Sequence, residues 1–417
     1  MSKKELVILA GSCYPISSAT GSIAINFGKY LSEQYHISII AIEQDGYSYN
    51  GDKIDGFDVY TISNWRLKWA QKSKNKRDDC KGLLYKFFNL SLLLARIFGR
   101  LEATFFSLNN NAWYIEKAYK KLEEINTNSS IDVVLTCAAP HEAHRAGRIY
   151  KKKHPEVRWV TYWGDLMASR INKLNIFVSM KKMKEMETEL ACSSDYVLST
   201  VENYNVLLEE TNDISKVKAL PYTLNQTILN ECADNRQTRA DEITIVYMGA
   251  FYRDIRNPEY FLKLFSLLPC KYRLLLYSTG NCEDIVNRYV SDSNGRIIQK
   301  GLVPKKQLIS EVKNVDILVN IQNKLENSNP SKILELVSYG KPIIDFSYTD
   351  ETSSSLARYP YCLNINMEHS FSDYVDELTK FILDNCDRHI DIQMVKEIYS
   401  ENLEDNVKQI VVEAIGG

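Results

Sequence analysis

One local order of elements runs through this chain twice. Leu6-Val-Ile-Leu-Ala10 is an unbroken apolar run of strand length, followed by a helical pattern from about 22 to 33 and a second apolar run over 36–42. Residues 59–62, 131–136, a helical pattern near 141–153, and 158–162 continue the alternation. Near residue 243 it begins again. A strand-like run at 243–248 leads to a helix over 258–268, then runs at 272–277, 296–298, 315–319 and 342–346. Runs apolar at successive positions suit strands covered on both faces, and strand–helix–strand alternation builds a parallel sheet flanked by helices. Two such series predict an α/β protein of two Rossmann-like domains facing each other across a cleft. The polar, weakly periodic stretch 225–241 reads as the join. The expected division is 1–225, 226–390, and a terminal stretch 391–417 whose long helix, about 392–414, runs back to the first domain.

Composition narrows the class. The 417 residues are 45% hydrophobic and 25% charged, as in a soluble globular protein. A net charge of −2 gives no general attraction for nucleic acid. Nine cysteines are scattered with no Cys-x-x-Cys pair, which fits reduced thiols and a cytoplasmic location better than a disulfide framework or a zinc site. The first apolar run is too short for the core of a secretory signal, and no apolar run reaches the roughly 18 residues of a membrane span.

Chemistry is written in the second half. Residues 329–342, NPSKILELVSYGKP, read as a helix capped by Asn329, with Pro330 at its first position and Gly340 and Pro342 as its stop. Lys332 then lies at the positive end of the helix dipole, a poor place for a cation unless an anion joins it. Glu335 is three residues on. A surface Lys–Glu pair is one reading; a phosphate on Lys332 with ribose hydroxyls on Glu335 is the other. In 247–261, YMGAFYRDIRNPEYF, Gly249 is expected at a strand end, with Arg253 and Arg256 before the next helix. Guanidinium groups meet phosphate oxygens as a fork, so two cationic loops in one domain point to a pyrophosphate. Gly301-Leu302-Val303 is either an ordinary turn or a place where backbone reaches a nucleobase edge. The usual nucleotide motifs are missing. No G-x-G-x-x-G follows the first strand, and Gly46–Lys53 nearly makes a P-loop but carries Asp52 where the lysine belongs.

Together these residues resemble the GT-B glycosyltransferases, specifically glycosyltransferase family 4. The likeness covers most of the chain and is strongest from Gly249 to Pro342. In the first half, Ala139-Pro-His-Glu-Ala-His144 followed by Val160-Thr-Tyr-Trp-Gly-Asp165 is similar to the family's Pro-His helix start and Asp-ended strand. The resemblance implies a retaining transferase. It implies a nucleotide-diphosphate sugar held as co-substrate by the second domain, a glycan or lipid-linked acceptor held by the first, and no metal. Carried over by position, Gly249, Arg253, Arg256, Ser331 and Lys332 hold the diphosphate, Glu335 the ribose, and Gly301 to Val303 the base. Asp165 falls near the donor sugar, and Gly21 matches the family's loop beside the reacting groups. The chain departs from the family at the first of two paired glutamates, where Asn327 stands with Glu326 beside it, and in having one glycine where many members have two.

Two weaker features remain. His141 and His144, spaced i, i+3, suit helix-start packing, contact with acceptor or sugar, or a metal pair for which no clear third ligand is near. Residues 66–106 join a basic run, from Arg66 to Lys86, to Leu83, Phe87, Leu90, Leu94, Phe98, Leu101 and Phe105 at helical spacing. Either this stripe is core beside a solvated loop, or it docks on an anionic membrane, placing the protein peripherally on the inner face. The favoured function is sugar transfer in surface-polysaccharide assembly. A nucleotide-sugar epimerase of the same fold and a non-catalytic nucleotide-sugar module are its rivals.

Overall fold

The computed structural model describes residues 3–15, 17–44, 46–106, 112–167, 180–233, 242–324 and 332–416. The chain divides into two compact units. One comprises Met1–Pro221 with Lys408–Gly417, the other Tyr222–Val407.

The first unit carries β1 (Lys4–Leu9), β2 (Tyr35–Ile42), β3 (Asn50–Ile54), β4 (Phe57–Ile62), β5 (Ile131–Ala138), β6 (Arg158–Trp163), β7 (Tyr196–Ser199) and β8 (Val217–Ala219). They form one sheet in the order β3-β4-β2-β1-β5-β6-β7-β8, parallel throughout except for the β3–β4 hairpin. The second half of the near P-loop, Asn50 to Lys53, falls within this edge hairpin. Leu6 to Leu9 are fully buried at successive positions, as a central strand covered on both faces requires. Two fully buried tryptophans, Trp159 and Trp163, fill the space between the sheet and the helix Glu142–Lys153.

The second unit carries β9 (Ile243–Phe251), β10 (Tyr272–Gly280), β11 (Ile297–Gln299), β12 (Ile317–Ile321), β13 (Ile343–Ser347) and β14 (Cys362–Asn366), in the parallel order β11-β10-β9-β12-β13-β14. Ile245, Tyr247 and Leu274 point into one apolar layer, Val246, Met248 and Leu318 into the other. The alternation follows from the two-residue period of a strand.

Three expectations are corrected. The polar join contains a helix, Gln226–Cys232, capped by Asn225 and anchored through Ile228, Leu229 and Cys232 in the second unit's core; residues 234–241 lie outside those described. The long terminal helix is three pieces, Ile392–Ile398, a 3-10 turn Ser400–Asn402 and Glu404–Gly416. Tyr399 breaks it: its ring is buried, and its hydroxyl donates to Ser355 O at 2.7 Å. Finally, Leu83, Phe87, Leu90, Leu94 and Phe98 are exposed rather than core, on a helix Leu83–Phe106 that packs against the helix Trp65–Asp78. The side chains of Leu101 and Phe105 lie outside the described residues. All nine cysteines are free thiols.

Candidate functional site

Strand order reverses direction once in each sheet, between β1 and β5 in the first unit and between β9 and β12 in the second. Loops leaving the carboxyl ends of the two strands diverge there, and in open parallel sheets ligands bind at that opening.

In the second unit, β12 pairs with β9 from Ile317↔Ile245 to Val319↔Tyr247, so their following loops leave the same sheet edge. The loops are tied together: Lys324 N–H donates to Ile255 O at 2.8 Å. Arg256 stands on this edge. A two-way backbone bridge to Tyr252 holds it, and its Nη1 donates to Ala250 O at 3.4 Å. The buried Arg256 Nε has no hydrogen-bond partner. An acceptor brought by a ligand would satisfy that Nε, whose desolvation otherwise costs about 1–3 kcal/mol; the guanidinium also engages the Tyr247 side chain. Beside it, burial pushes the Tyr247 phenol up to about 12, while the Arg256 charge pulls the other way.

Arg253 behaves differently. Its Nη2 donates to Asp284 Oδ1 at 2.6 Å in an exposed pair, and its backbone N–H bonds Asn281 Oδ1. Asp284 belongs to the loop and helix after β10, so Arg253 turns away from the β9–β12 opening. Lys332 ends the loop after β12. It occupies the cap position of the short helix Ile333–Val337, and its Nζ lies 3.9 Å from Glu335 Oε2. Asn329 and Pro330, where the expected helix start falls, and Ser331, Glu326 and Asn327 lie outside the described residues. Gly249 is inside β9, not at its end, because the strand runs on to Phe251. A Cβ there would meet the Tyr247 hydroxyl at 2.9 Å. Gly301 adopts φ +69 one residue beyond Lys300, with Leu302 exposed and Val303 packed on the core.

A polar group not anticipated from the sequence lies one strand further on. Asp345, fully buried in β13, accepts from Asn320 Nδ2 and Gln322 Nε2, both at 2.7 Å. Burial pushes its carboxyl up from 3.8 to about 6, and the two amides pull back only part of the way. Folding thus tightens its hold on a proton. The associated stability is complete below about pH 4 and is lost as pH rises through 6, at most about 3 kcal/mol for a shift of this size. Chemical denaturation of the wild type should show that loss between about pH 4 and pH 6.5, with no further change above it (roughly the span between unfolded and folded titration). Asp345→Asn should flatten it, and an unchanged profile in the variant would remove Asp345 as its source.

In the first unit, the loops after β1 and β5 also meet. Ala139 N–H donates to Thr20 Oγ1 at 3.3 Å, and a Cβ on Gly11 would approach Ala139 O at 2.9 Å. Gly21 is in the first turn of the helix Ala19–Leu31 rather than in the preceding loop. Its N–H bonds the capping Ser18 Oγ, and that serine's N–H and Oγ both donate to Ser12 O. A side chain at Gly21 would place Cβ 1.9 Å from the same Ser12 oxygen, so the loop can fold onto the helix only with glycine there.

His141 and His144 open the helix after β5, both buried. His144 Nδ1 lies 2.7 Å from Thr136 Oγ1, and its ring lies against Trp163 at 4.3 Å between centroids. Burial holds its pKa well below the ordinary value, so it stays neutral. His144 thus packs the sheet against its helix, one of the readings the sequence allows. His141 sits at the helix cap, 6.1 Å from the Trp163 ring. Asp165 lies two residues beyond β6, half-buried, on the edge from which His141 also emerges. No group of three or more His, Cys, Asp or Glu side chains able to hold a metal occurs among the described residues.

No protein-family model and no curated protein matches the sequence. Solved structures do. An α,α-trehalose 6-phosphate synthase from Burkholderia multivorans matches over 99% of this chain and 98% of its own, with TM-score 0.65 and 10% identity. The sucrose-phosphate synthase from Thermosynechococcus elongatus matches over 99% and 95%, with TM-score 0.61 and 11% identity. The Anabaena protein HepE, in complex with UDP and glucose, matches over 98% of both chains, with TM-score 0.60 and 9% identity. At such identities the likeness is one of fold: two parallel-sheet, Rossmann-like units of the GT-B type.

Proposed function

We propose that this protein is a retaining glycosyltransferase that moves a sugar from a nucleotide-diphosphate sugar to a hydroxyl of a glycan or lipid-linked acceptor, in the cytoplasm and in surface-polysaccharide assembly. The observation that carries the reading is the β9–β12 opening, where a half-buried arginine with an unmet donor and a loop ending in Lys332 leave one sheet edge. The presence of UDP and glucose in HepE, a protein of the same fold, supports it.

Arg256 and Lys332 receive the diphosphate, with Arg253 joining once it exchanges Asp284 for a phosphate oxygen. Glu335 takes the ribose hydroxyls, and the Gly301–Val303 turn takes the base. As the bond from the sugar's anomeric carbon to phosphate oxygen breaks, negative charge grows on the leaving diphosphate. Fixed cations there stabilise the transition state more than the ground state. The acceptor oxygen bonds the anomeric carbon on the face being vacated, and its proton passes to the leaving phosphate. No strong protein base and no metal is needed. Asp165 and His141, near the β1–β5 opening, are assigned to the sugar and acceptor.

Incubation with a panel of nucleotide sugars and candidate acceptors tests the reading. Nucleoside diphosphate released together with glycosylated acceptor supports it. Interconverted sugar assigns an epimerase, and binding without turnover a non-catalytic module. Asp165→Ala should cut transfer by about 100-fold or more while changing nucleotide affinity less than about twofold. Loss of nucleotide binding in a folded variant would remove Asp165 from the acceptor side.

A further inference from the structure

We propose that the helix pair Trp65–Asp78 and Leu83–Phe106 docks the protein onto an anionic lipid surface. The second helix has two unlike faces. Ser91, Leu92 and Ala95 turn inward; Ser91 Oγ accepts from Trp69 Nε1 at 3.0 Å and lies 2.9 Å from Ser73 Oγ, while Leu92 and Ala95 are buried. Around the helix from these, Leu83, Phe87, Leu90, Leu94 and Ile97 follow one another at steps of four and three residues, and all are exposed, Leu83 at 85% and Phe87 at 63%. Trp65, itself exposed, stacks on Trp69 and meets Phe98 edge-on, widening the patch.

Ten of the twenty large exposed apolar side chains among the described residues fall between Trp65 and Phe98. Such a concentration marks an interaction surface rather than the usual scatter. Its charge identifies the occupant. Residues 66–106 carry ten Lys and Arg against three Asp and Glu, a net +7 in a chain whose total is −2. Lys68, Lys72, Lys74, Lys76, Lys81 and Lys86 are exposed. Lys76 Nζ lies 5.7 Å from the centre of the Phe88 ring, and the Arg77 guanidinium 6.0 Å from that of Tyr85, so cations border the aromatic part of the patch. A second copy would suit the spacing of the stripe but would bring two strongly cationic segments together. Anionic headgroups neutralise them while acyl chains cover the leucines and phenylalanines. Among the described residues no helix is long and apolar enough to cross a membrane, so the pair lies in the interface.

Vesicle co-sedimentation of the whole chain tests this without reading catalysis, so its result stands apart from that of the transfer assay. The protein should pellet with vesicles of phosphatidylcholine and phosphatidylglycerol and remain in solution with phosphatidylcholine alone. Added anionic vesicles should shift Trp65 fluorescence to the blue, and salt should weaken binding. Phe87→Glu/Leu90→Glu, at exposed positions, should lower the partition coefficient at least about tenfold, with an unchanged circular dichroism spectrum. Lys72→Glu/Lys76→Glu should lower it by about tenfold and reduce the salt dependence. No pelleting with anionic vesicles, or pelleting indifferent to the Phe87/Leu90 variant, overturns the proposal. So does a dimer in analytical ultracentrifugation that the same variant dissociates, which would assign the stripe to a second copy.

Discussion

Arg256→Ala/Lys332→Ala will weaken binding of the cognate nucleoside diphosphate by about 100-fold or more while leaving the weak binding of the bare nucleoside nearly unchanged. The magnitude follows from the chemistry of the two groups. Hydrogen bonds to charged partners contribute about 1.5–3 kcal/mol each, and every 1.4 kcal/mol is a factor of ten. Arg256 should contribute more than Lys332, because its donor geometry is already fixed by Ala250 O and the Tyr252 bridge and its Nε is unpartnered. Lys332, only 3.9 Å from Glu335, must give up part of an existing ion pair. The single variants should therefore rank Arg256→Ala above Lys332→Ala. Arg253→Ala should have the smallest effect, since Asp284 already engages it. Isothermal titration with uridine, guanosine and adenosine diphosphates, each beside its nucleoside, reads the ranking and identifies the base. Equal loss for nucleoside and diphosphate would place these cations elsewhere than on the phosphates.

Gly21→Ala will destabilise the first unit by about 3 kcal/mol, lowering Tm by roughly 6–12 °C for a unit of this size. The sign is the test. In an ordinary helix position, alanine for glycine stabilises by about 1 kcal/mol. Here the new Cβ would sit 1.9 Å from Ser12 O, a backbone atom, and cannot be accommodated without moving the loop. That shift would also break the bonds from Ser18 N–H and Oγ to Ser12 O. Calorimetry measures the effect, and a variant more stable than the parent would mean that the loop does not rest on the helix as described.

Much of the architecture is legible in the residue order. The apolar runs that become β1, β2, β5, β9 and β10 are long and covered on both faces, so periodicity alone reveals them. What stays hidden is short or marginal. β7 and β8 span four and three residues and are held by neighbours rather than by their own propensity, and β3 is an edge strand of Asn, Gly, Asp and Lys. The candidate site is legible by type more than by role. Cations near the ends of β9 and β12 are visible in the sequence, but which arginine faces the opening depends on Asp284, a partner some thirty residues away (, about one βα unit). The pairing of Asp345 with Asn320 and Gln322 needs two adjacent strands in register, which no local pattern announces. His144 could pack or touch a ligand by its spacing, and the choice depends on Thr136, eight residues earlier on β5, which meets its Nδ1.

The first unit is closed by residues far from the rest of it in the chain. The Arg158 guanidinium donates to Ala414 O at 3.1 and 2.8 Å, and Val411, Ala414 and Ile415 are buried. During synthesis the ribosome must therefore deliver the entire second unit, roughly ten to forty seconds of elongation, before the first can be finished. A nascent chain paused in that interval presents an unfilled apolar groove, ready for a chaperone or for the same peptide from another polysome. Supplying 408–417 in trans to a chain stopped at Val407 would recover cooperative melting of the amino-terminal half, with the last ten residues acting as a detachable plug.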